Sequence, residues 1–508
     1  MRIETETDLH ILRQKAALLQ RENDLLHARL VELTSQLDKL QGGDGAGLQQ
    51  ELALLQEKLA AQATKLFGKS SEKRKTEVVE AAKPDRPAQT GHGPRPQPKL
   101  PVVEQIHELD AADKVCVNCG GNLRLMADQF EESEEIDVVE RVFRVVHHKR
   151  QKYRCDCQAC IDTALGPPKL LTGGRYSVGF AVEVASDKYS MHKPLTRQCQ
   201  EMAHQGLMVD SQTLWDQISA LAKHLQNAYD SLRVRVLGRP VVGADETRWP
   251  VLDAENKVWW AWSVCSNDGV WYRIAKSRSH EEAGKLLGDY SGTVVTDAYG
   301  AYQALRNKRI REGMAVFLNP HCWSHCRRKF VAAEPHQPEA AQALALIGKL
   351  YAIEAKAKAE HPQDEAAWQS RLGELRKSES AAVLAEIRAW RAKVRPLPKS
   401  ALGRALSYMD DNWLDLGLFI HDPQIPLDNN RTERGMRRLA VGRKNHYGSK
   451  SLRGTEVAAI FYSLIETAHR IGLDPKAYLL AAALAAIRDP KAPPLLPHDF
   501  AAQLALPA

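Results

Sequence analysis

The sequence predicts a multidomain α+β protein, and three observations predict it. Leucines recur every seven residues near the N-terminus, two Cys-x-x-Cys knuckles flank a strand-like segment, and helical patterning gives way to strands near Arg239. A chain of 508 residues implies roughly three or four domains. Hydrophobic content of 44% and charged content of 26% are those of a chain with real cores. The net charge of +7 is mild, so any anion-binding surface must be local. The opening residues MRIETETDLH hold no apolar signal core, and the longest apolar runs, near Ala477 to Ile487, are too short to span a bilayer. Nine cysteines, several in close pairs, fit thiols or a metal in a reducing compartment better than a disulfide framework. A cytoplasmic protein with no membrane partner is expected.

Residues 1–66 are read as a coiled-coil dimerisation segment. Leu12, Leu19, Leu26, Leu33 and Leu40 take the d positions, which puts Leu9, Ala16, Asn23, Leu30 and Leu37 at a. One Asn at a favours a paired, in-register coiled coil; the competing reading is an amphipathic helix packed on its own chain. The run GGDGAG breaks the helix, which resumes through Leu52, Leu55, Leu59 and Leu66. Residues 67–105 are rich in Lys, Pro, Gly and Ser without an apolar face, hence a flexible linker. Residues 106–165 read as a zinc-binding ribbon. Cys116 and Cys119, with Cys157 and Cys160, supply four thiolates for a closed, structural Zn²⁺ site, and Gly120 permits the turn. Cys155 competes for the second pair, and free structural cysteines are the alternative.

Residues 166–238 form a helical region that resembles a helix-turn-helix. It has a turn at Gly206 and a second helix capped by Ser211 and led by Thr213, Leu214 and Trp215, a first turn suited to a DNA groove. An ordinary helix pair about a glycine would look the same. Residues 239–335 change to strands: RPVVGADETRWPVL ends an apolar run at Asp245, two aromatic strands and a helix follow, and GTVVTDAYGAY ends a second run at Asp297. This β-β-β-α-β order fits the first part of a ribonuclease-H-like α/β catalytic core. Glu246 faces away from Asp245 on the same strand. MAVFLNPHCWSHCRRKF is expected to add a strand and a basic turn. Residues 336–400 read as a helical insertion, 401–450 as the second part of the core, and 451–508 as a C-terminal helical region with a Pro-rich tail.

The stretch LDNNRTERGMRRLAVGRKNHYGS places one acid, Glu433, among Arg431, Arg434, Arg437, Arg438, Arg443 and Lys444. Asp428, Asn429 and Asn430 are helix-start residues whose side chains can take free backbone N–H groups. On a helix Glu433 shares a face with Met436, Arg437 and Ala440. It is either half of a surface ion pair with Arg437 or a metal-binding carboxylate. With Asp245 and Asp297 it makes a carboxylate set suited to Mg²⁺ or Mn²⁺, because hard cations take oxygen ligands and a two-ion site drives in-line phosphoryl displacement. Asp297 is alternatively only a turn former before Gly300. His321, Cys322, His325 and Cys326 also have spacing that could bind a second zinc.

In this order, GADETRW, TDAYGAY, CWSHCRRKF and DNNRTERGMRRLAVGRKN resemble the DDE transposases of the insertion sequence 66 family. KLFGKSSEK, the CVNCGG knuckle with KYRC, and KSLRGTEVAAIFYSLIETA extend the resemblance over nearly the whole chain. It implies that Asp245, Asp297 and Glu433 are the catalytic triad and hold magnesium. Cys322 and His325 match a C-x-x-H signature and, with Arg328, would support the active site. Arg327, Lys329, Arg434, Arg437, Arg438, Arg443 and Lys444 would contact phosphates. The ribbon and the helical region, including Ser211 and Thr213, would recognise transposon ends. The activity implied is cleavage at those ends and strand transfer into target DNA, by a homodimer or higher oligomer that is nucleoid-associated when bound to DNA. Element-encoded accessory proteins are implied as further partners. CDCQAC departs from the family form by a surplus cysteine, which leaves the ligand choice open. The alternatives are a catalytically inactive DNA-binding protein derived from a transposase, and a nuclease or resolvase on the same sheet.

Overall fold

The computed structural model describes residues 21, 25–26, 28–32, 50–58, 141–154, 161–335, 337–397 and 399–505. Cys116, Cys119, Cys155, Cys157 and Cys160, the linker and most of the heptad positions lie outside the described residues. The described residues up to 58 and from Phe143 onward belong to one compact unit. Within this unit residues 50–58 are helical and pack on their own chain: Leu55 is buried, and Glu57 accepts hydrogen bonds from Gln337 Nε2 at 3.0 Å and from the Ala401 amide.

A short antiparallel ribbon, Lys152–Arg154 (β1) with Ile161–Thr163 (β2), precedes three helices, Val178–Tyr189 (α1), Leu195–His204 (α2) and Ser211–Leu237 (α3). Gly206, at φ 83°, supplies the left-handed turn between α2 and α3. The cap of α3 is Asp210 and not the expected Ser211, which is the first residue inside the helix. The Asp210 carboxylate accepts the Thr213 amide at 2.6 Å, and its charge suits a helix N-terminus better than a hydroxyl does. α3 runs for 27 residues and buries Leu214, Ile218, Leu221, Leu225, Leu232 and Val236 along one stripe.

The main sheet has Val241–Pro250 (β3), Val258–Cys265 (β4), Val270–Ala275 (β5) and Thr293–Val295 (β6), in the order β5-β4-β3-β6. β3 pairs antiparallel with β4 and parallel with β6, and β4 pairs antiparallel with β5. His280–Leu287 (α4) makes the crossover to β6. Asp245 lies in the middle of β3 rather than at its end, because β4 continues to pair it out to Pro250. The segment after Gly300–Arg311 (α5) also departs from expectation. It gives two isolated bridges beside β6, Leu318 with Thr293 and His321 with Thr296, and then the helix Trp323–Ala333 (α6) in place of a basic turn. Pro320 lies between the bridged residues and has no N–H to continue a ladder.

The remaining helices are Glu339–Glu360 (α7), Glu365–Leu375 (α8), Ala381–Lys393 (α9), Ala401–Asp411 (α10), Trp413–Gly417 (α11), Asn430–His446 (α12), Leu452–Arg470 (α13), Pro475–Arg488 (α14) and Pro497–Leu504 (α15). The last of these forms where only a Pro-rich tail was expected, with Pro497 at its first turn. One core joins the sheet to α1, α3, α13 and α14. The open edge of β5 is closed by side-chain hydroxyls of α13. Val270 N–H donates to Thr467 Oγ1 at 3.1 Å, the same hydroxyl returns a bond to Val270 O, and Tyr272 N–H donates to Ser463 Oγ at 2.9 Å. Among the described residues no helix is long and apolar enough to cross a membrane.

A second core lies under Trp323, Cys326 and Phe330 of α6, covered by α7, α9 and α10. Arg376 is its polar pin. It is 1% exposed, binds Glu354 through Nε and Nη2 at 2.7 and 2.8 Å, and caps the carbonyls of Phe419, Asp422 and Ile425 through Nη1 at 2.8 to 2.9 Å. Those carbonyls belong to the segment that returns from the insertion to α12, so one guanidinium fixes the approach to Glu433. Arg376→Met leaves Glu354 and three carbonyls without this donor and is expected to cost roughly 3 kcal/mol. A denaturant midpoint equal to wild type would contradict that role.

Candidate active site

The β3–β6 register pairs Val241 with Thr293 and Gly243 with Val295. Asp297 follows two residues after the last of these pairs, in the bend beyond the strand, and its charge acts on Asp245. Asp245 Oδ1 accepts the Glu246 amide at 2.8 Å, and Asp297 Oδ1 accepts the Tyr299 amide at 3.0 Å. Asp297 is therefore also a turn former, with Ala298 left-handed at φ 69° behind it. Burial, and then the charges of Glu246, Asp297 and Glu433, push the Asp245 carboxyl up to about 8. Glu246 faces the other side: it is 7% exposed, takes Arg278 Nε at 2.7 Å and accepts from Tyr302 Oη at 3.1 Å.

Glu433 reaches this edge because α12 begins against β3. Asn429 Nδ2 donates to Ala244 O at 3.0 Å, and the Asn429 amide donates to Cys322 Sγ at 3.2 Å. A Cβ at Gly243 would lie 2.0 Å from Thr432 Oγ1 and 2.7 Å from Asn429 Oδ1, so this approach requires glycine. Of the helix-start residues, Asp428 takes the Asn430 amide at 3.0 Å, whereas Asn429 spends its side chain on the strand. Glu433 stands 3.6 Å from His325 Nδ1 and 3.8 Å from Arg328 Nη2. Cys322, His325 and Glu433 bring their ligand atoms within 4.8 Å of one another; Asp245, Asp297 and Glu433 do not form so tight a trio. Like charges hold carboxylates apart, and a site for two ions is wider than one for a single ion. Burial pushes the Cys322 thiol up to about 12.

The basic residues divide by setting. Arg434, Arg437 and Lys444 are exposed on α12. Arg438, also exposed, has Nε 3.4 Å from Glu466 Oε2, and half-buried Arg443 ties α12 to β3 through Thr247 Oγ1 at 3.0 Å and the Arg248 carbonyl. Arg327 is half-buried on α6 and Arg328 is exposed, while Lys329 lies 4.4 Å from the Tyr408 ring centre. Tyr408 Oη in turn donates to Asp297 O at 3.1 Å. Ser211 and Thr213 sit in the first turn of α3. His321 pairs at 3.9 Å with Asp415, and Cys326 faces the second core, so the four His and Cys residues of 321–326 do not converge on one point. Gly243, Asn429, Thr432 and Tyr408 were not singled out as parts of the site. Gly243 lies two places before Asp245, and Asn429 and Thr432 lie within the DNNRTERG stretch.

Family comparison places the chain among transposases. The model described as "Transposase IS66 family" matches residues 173–457, and "zinc-finger binding domain of transposase IS66" matches residues 113–158. The chain belongs to the IS66 transposase family. The finger match takes in Cys116, Cys119, Cys155 and Cys157 and ends before Cys160. Two relatives from Sinorhizobium fredii are uncharacterized proteins. The protein y4jD is 29% identical over 406 residues, covering 77% of each chain, and y4hP is 25% identical over 422 residues, covering 76% of this chain and 73% of its own. No solved structure matches the chain.

Proposed function

We propose that the chain cleaves DNA at transposon ends and joins the freed 3′-hydroxyl to target DNA, with Asp245, Asp297 and Glu433 as its catalytic acids. The observation that supports this reading is the parallel pairing of β3 with β6, which ends two residues short of Asp297, with α12 starting against β3 at Ala244 and the charges of Asp297 and Glu433 acting on Asp245. The sheet order, three antiparallel strands with a fourth parallel to the first, supports a ribonuclease-H-like core. The acids fit a divalent cation: all are oxygen donors, their charges oppose one another, and Glu433 Oε1 is buried without a hydrogen-bond partner. Mg²⁺ or Mn²⁺ bound there would activate the attacking water or hydroxyl and stabilise the leaving oxygen. Asp245 must release its proton for that binding. Arg328 and Lys329 on α6, and Arg434 and Arg437 on α12, line the approach for phosphates. The zinc finger, with Cys116, Cys119 and a pair drawn from Cys155, Cys157 and Cys160, is a structural Zn²⁺ module for end recognition. The N-terminal heptads hold protomers together, so that two ends are held at once. A precleaved end with a plasmid target tests the reading: joined product is expected, and cleavage without joining would mark a nuclease or resolvase.

Two further outcomes follow. An Asp245 carboxyl at about 8 carries a proton at neutral pH that the cation must displace. Mg²⁺ affinity, read from the Mg²⁺-induced rise in Tm, is expected to increase with pH by up to about tenfold per unit below pH 8 and to level off above it. Asp245→Asn should remove that dependence, and a flat wild-type profile would contradict it. Binding to end DNA should weaken steeply with salt, and Arg437→Ala should lower the slope of log K against log salt by about 1. An unchanged slope would remove Arg437 from the DNA surface.

A further inference from the structure

A second set of ligands meets beside the acids. Cys322 and His325, three residues apart at the start of α6, share a helix face, and Glu433 comes to them from α12. Cys322 Sγ, one His325 ring nitrogen and one Glu433 oxygen all lie within 4.8 Å of one another. Two of the atoms that meet here are unsatisfied. His325 Nδ1 and Glu433 Oε1 are both buried without a hydrogen-bond partner, 3.6 Å apart. Leaving a buried polar atom unpaired is unfavourable, so two at one point beside a thiol ask for a common partner. The backbone holds the sulfur at this point, the Asn429 amide donating to Cys322 Sγ at 3.2 Å.

The chemistry of the set selects the ion. A thiolate and an imidazole are poor ligands for Mg²⁺ but good ones for a borderline cation, and three protein ligands leave a fourth tetrahedral position open. We infer that Cys322, His325 and Glu433 form a separate site for a zinc-class divalent cation. Glu433 is common to this site and to the Asp245–Asp297 pair. On the catalytic reading given above, a cation held here withdraws Glu433 from that pair, so the site is inhibitory.

The test uses the full chain with its finger loaded with Zn²⁺, titrated with Co²⁺ as a spectroscopic probe. Wild type is expected to bind one further equivalent, with a thiolate-to-cobalt absorption band and tetrahedral visible bands. Because Cys322 is buried, the deciding variant is His325→Gln, at a partly exposed position, with Glu433→Gln beside it; both should lose that equivalent. Equal uptake in wild type and His325→Gln, or no uptake beyond the finger, overturns the site. In the joining assay with Mg²⁺, micromolar Zn²⁺ should suppress wild type, and unaffected joining with Zn²⁺ bound overturns the inhibition. No joining in Mg²⁺ alone, with the cobalt bands present, would overturn the catalytic reading and leave the metal site standing.

Discussion

Glu433→Gln is expected to abolish strand transfer while leaving binding of end DNA unchanged. Glutamine keeps the size of the side chain and the start of α12, so Asn429, Thr432 and Gly243 retain their packing. What it removes is one negative charge from a cluster whose members already oppose one another and, on the proposed mechanism, one oxygen ligand for a hard cation. A group acting directly on the transition state is worth about 10² to 10³ in rate, and a carboxylate that would hold the catalytic cation should reach the upper end or beyond. Arg434 and Arg437, the proposed phosphate contacts, remain exposed, so a gel-shift titration should match wild type. Joining at the wild-type rate would remove Glu433 from the chemistry.

Gly243→Ala should impair joining almost as strongly, by a different route. The new Cβ would stand 2.0 Å from Thr432 Oγ1 and 2.7 Å from Asn429 Oδ1, distances that packed atoms do not reach. Either β3 bends or the start of α12 moves away, and Glu433 moves with it. Overpacking of this kind costs about 1–3 kcal/mol in stability. The rate should fall further than that cost alone explains, because catalysis requires ligands placed to within about half an ångström. Adding Thr432→Ala removes the closer of the two clashes and should restore part of both stability and rate, a coupling that a double-mutant cycle measures. Purely additive effects would show that Gly243 and Thr432 do not meet as described.

Elements set by local patterning were legible in the sequence. The apolar stripe of α3, the three aromatic and apolar strands with their crossover helix, and the helices of the insertion follow from periodicity that burial then uses. Features set by partners distant in the chain were not. Asp245 looked like a strand end because polar residues follow it; the facing residues of β4 are what carry the strand to Pro250. The stretch MAVFLNPHCWSHCRRKF was expected to supply a strand, and Pro320 limits it to isolated bridges. Asp210 displaced Ser211 as a cap because both neighbours qualify and the carboxylate interacts more strongly with the helix end. Asn429 looked like a local cap, yet its side chain serves a strand 185 residues away. The meeting of Cys322 and His325 with Glu433 has the same character: spacing joined the first two, and only the fold adds the third.

The most direct measurement is joining of a precleaved, 3′-hydroxyl transposon end to a supercoiled plasmid in Mg²⁺, run for wild type, Asp245→Asn and Asp297→Asn. If the three acids act as one site, wild type yields joined product, and each substitution eliminates it while end binding persists. Joined product at the wild-type rate from either variant would contradict a shared catalytic site.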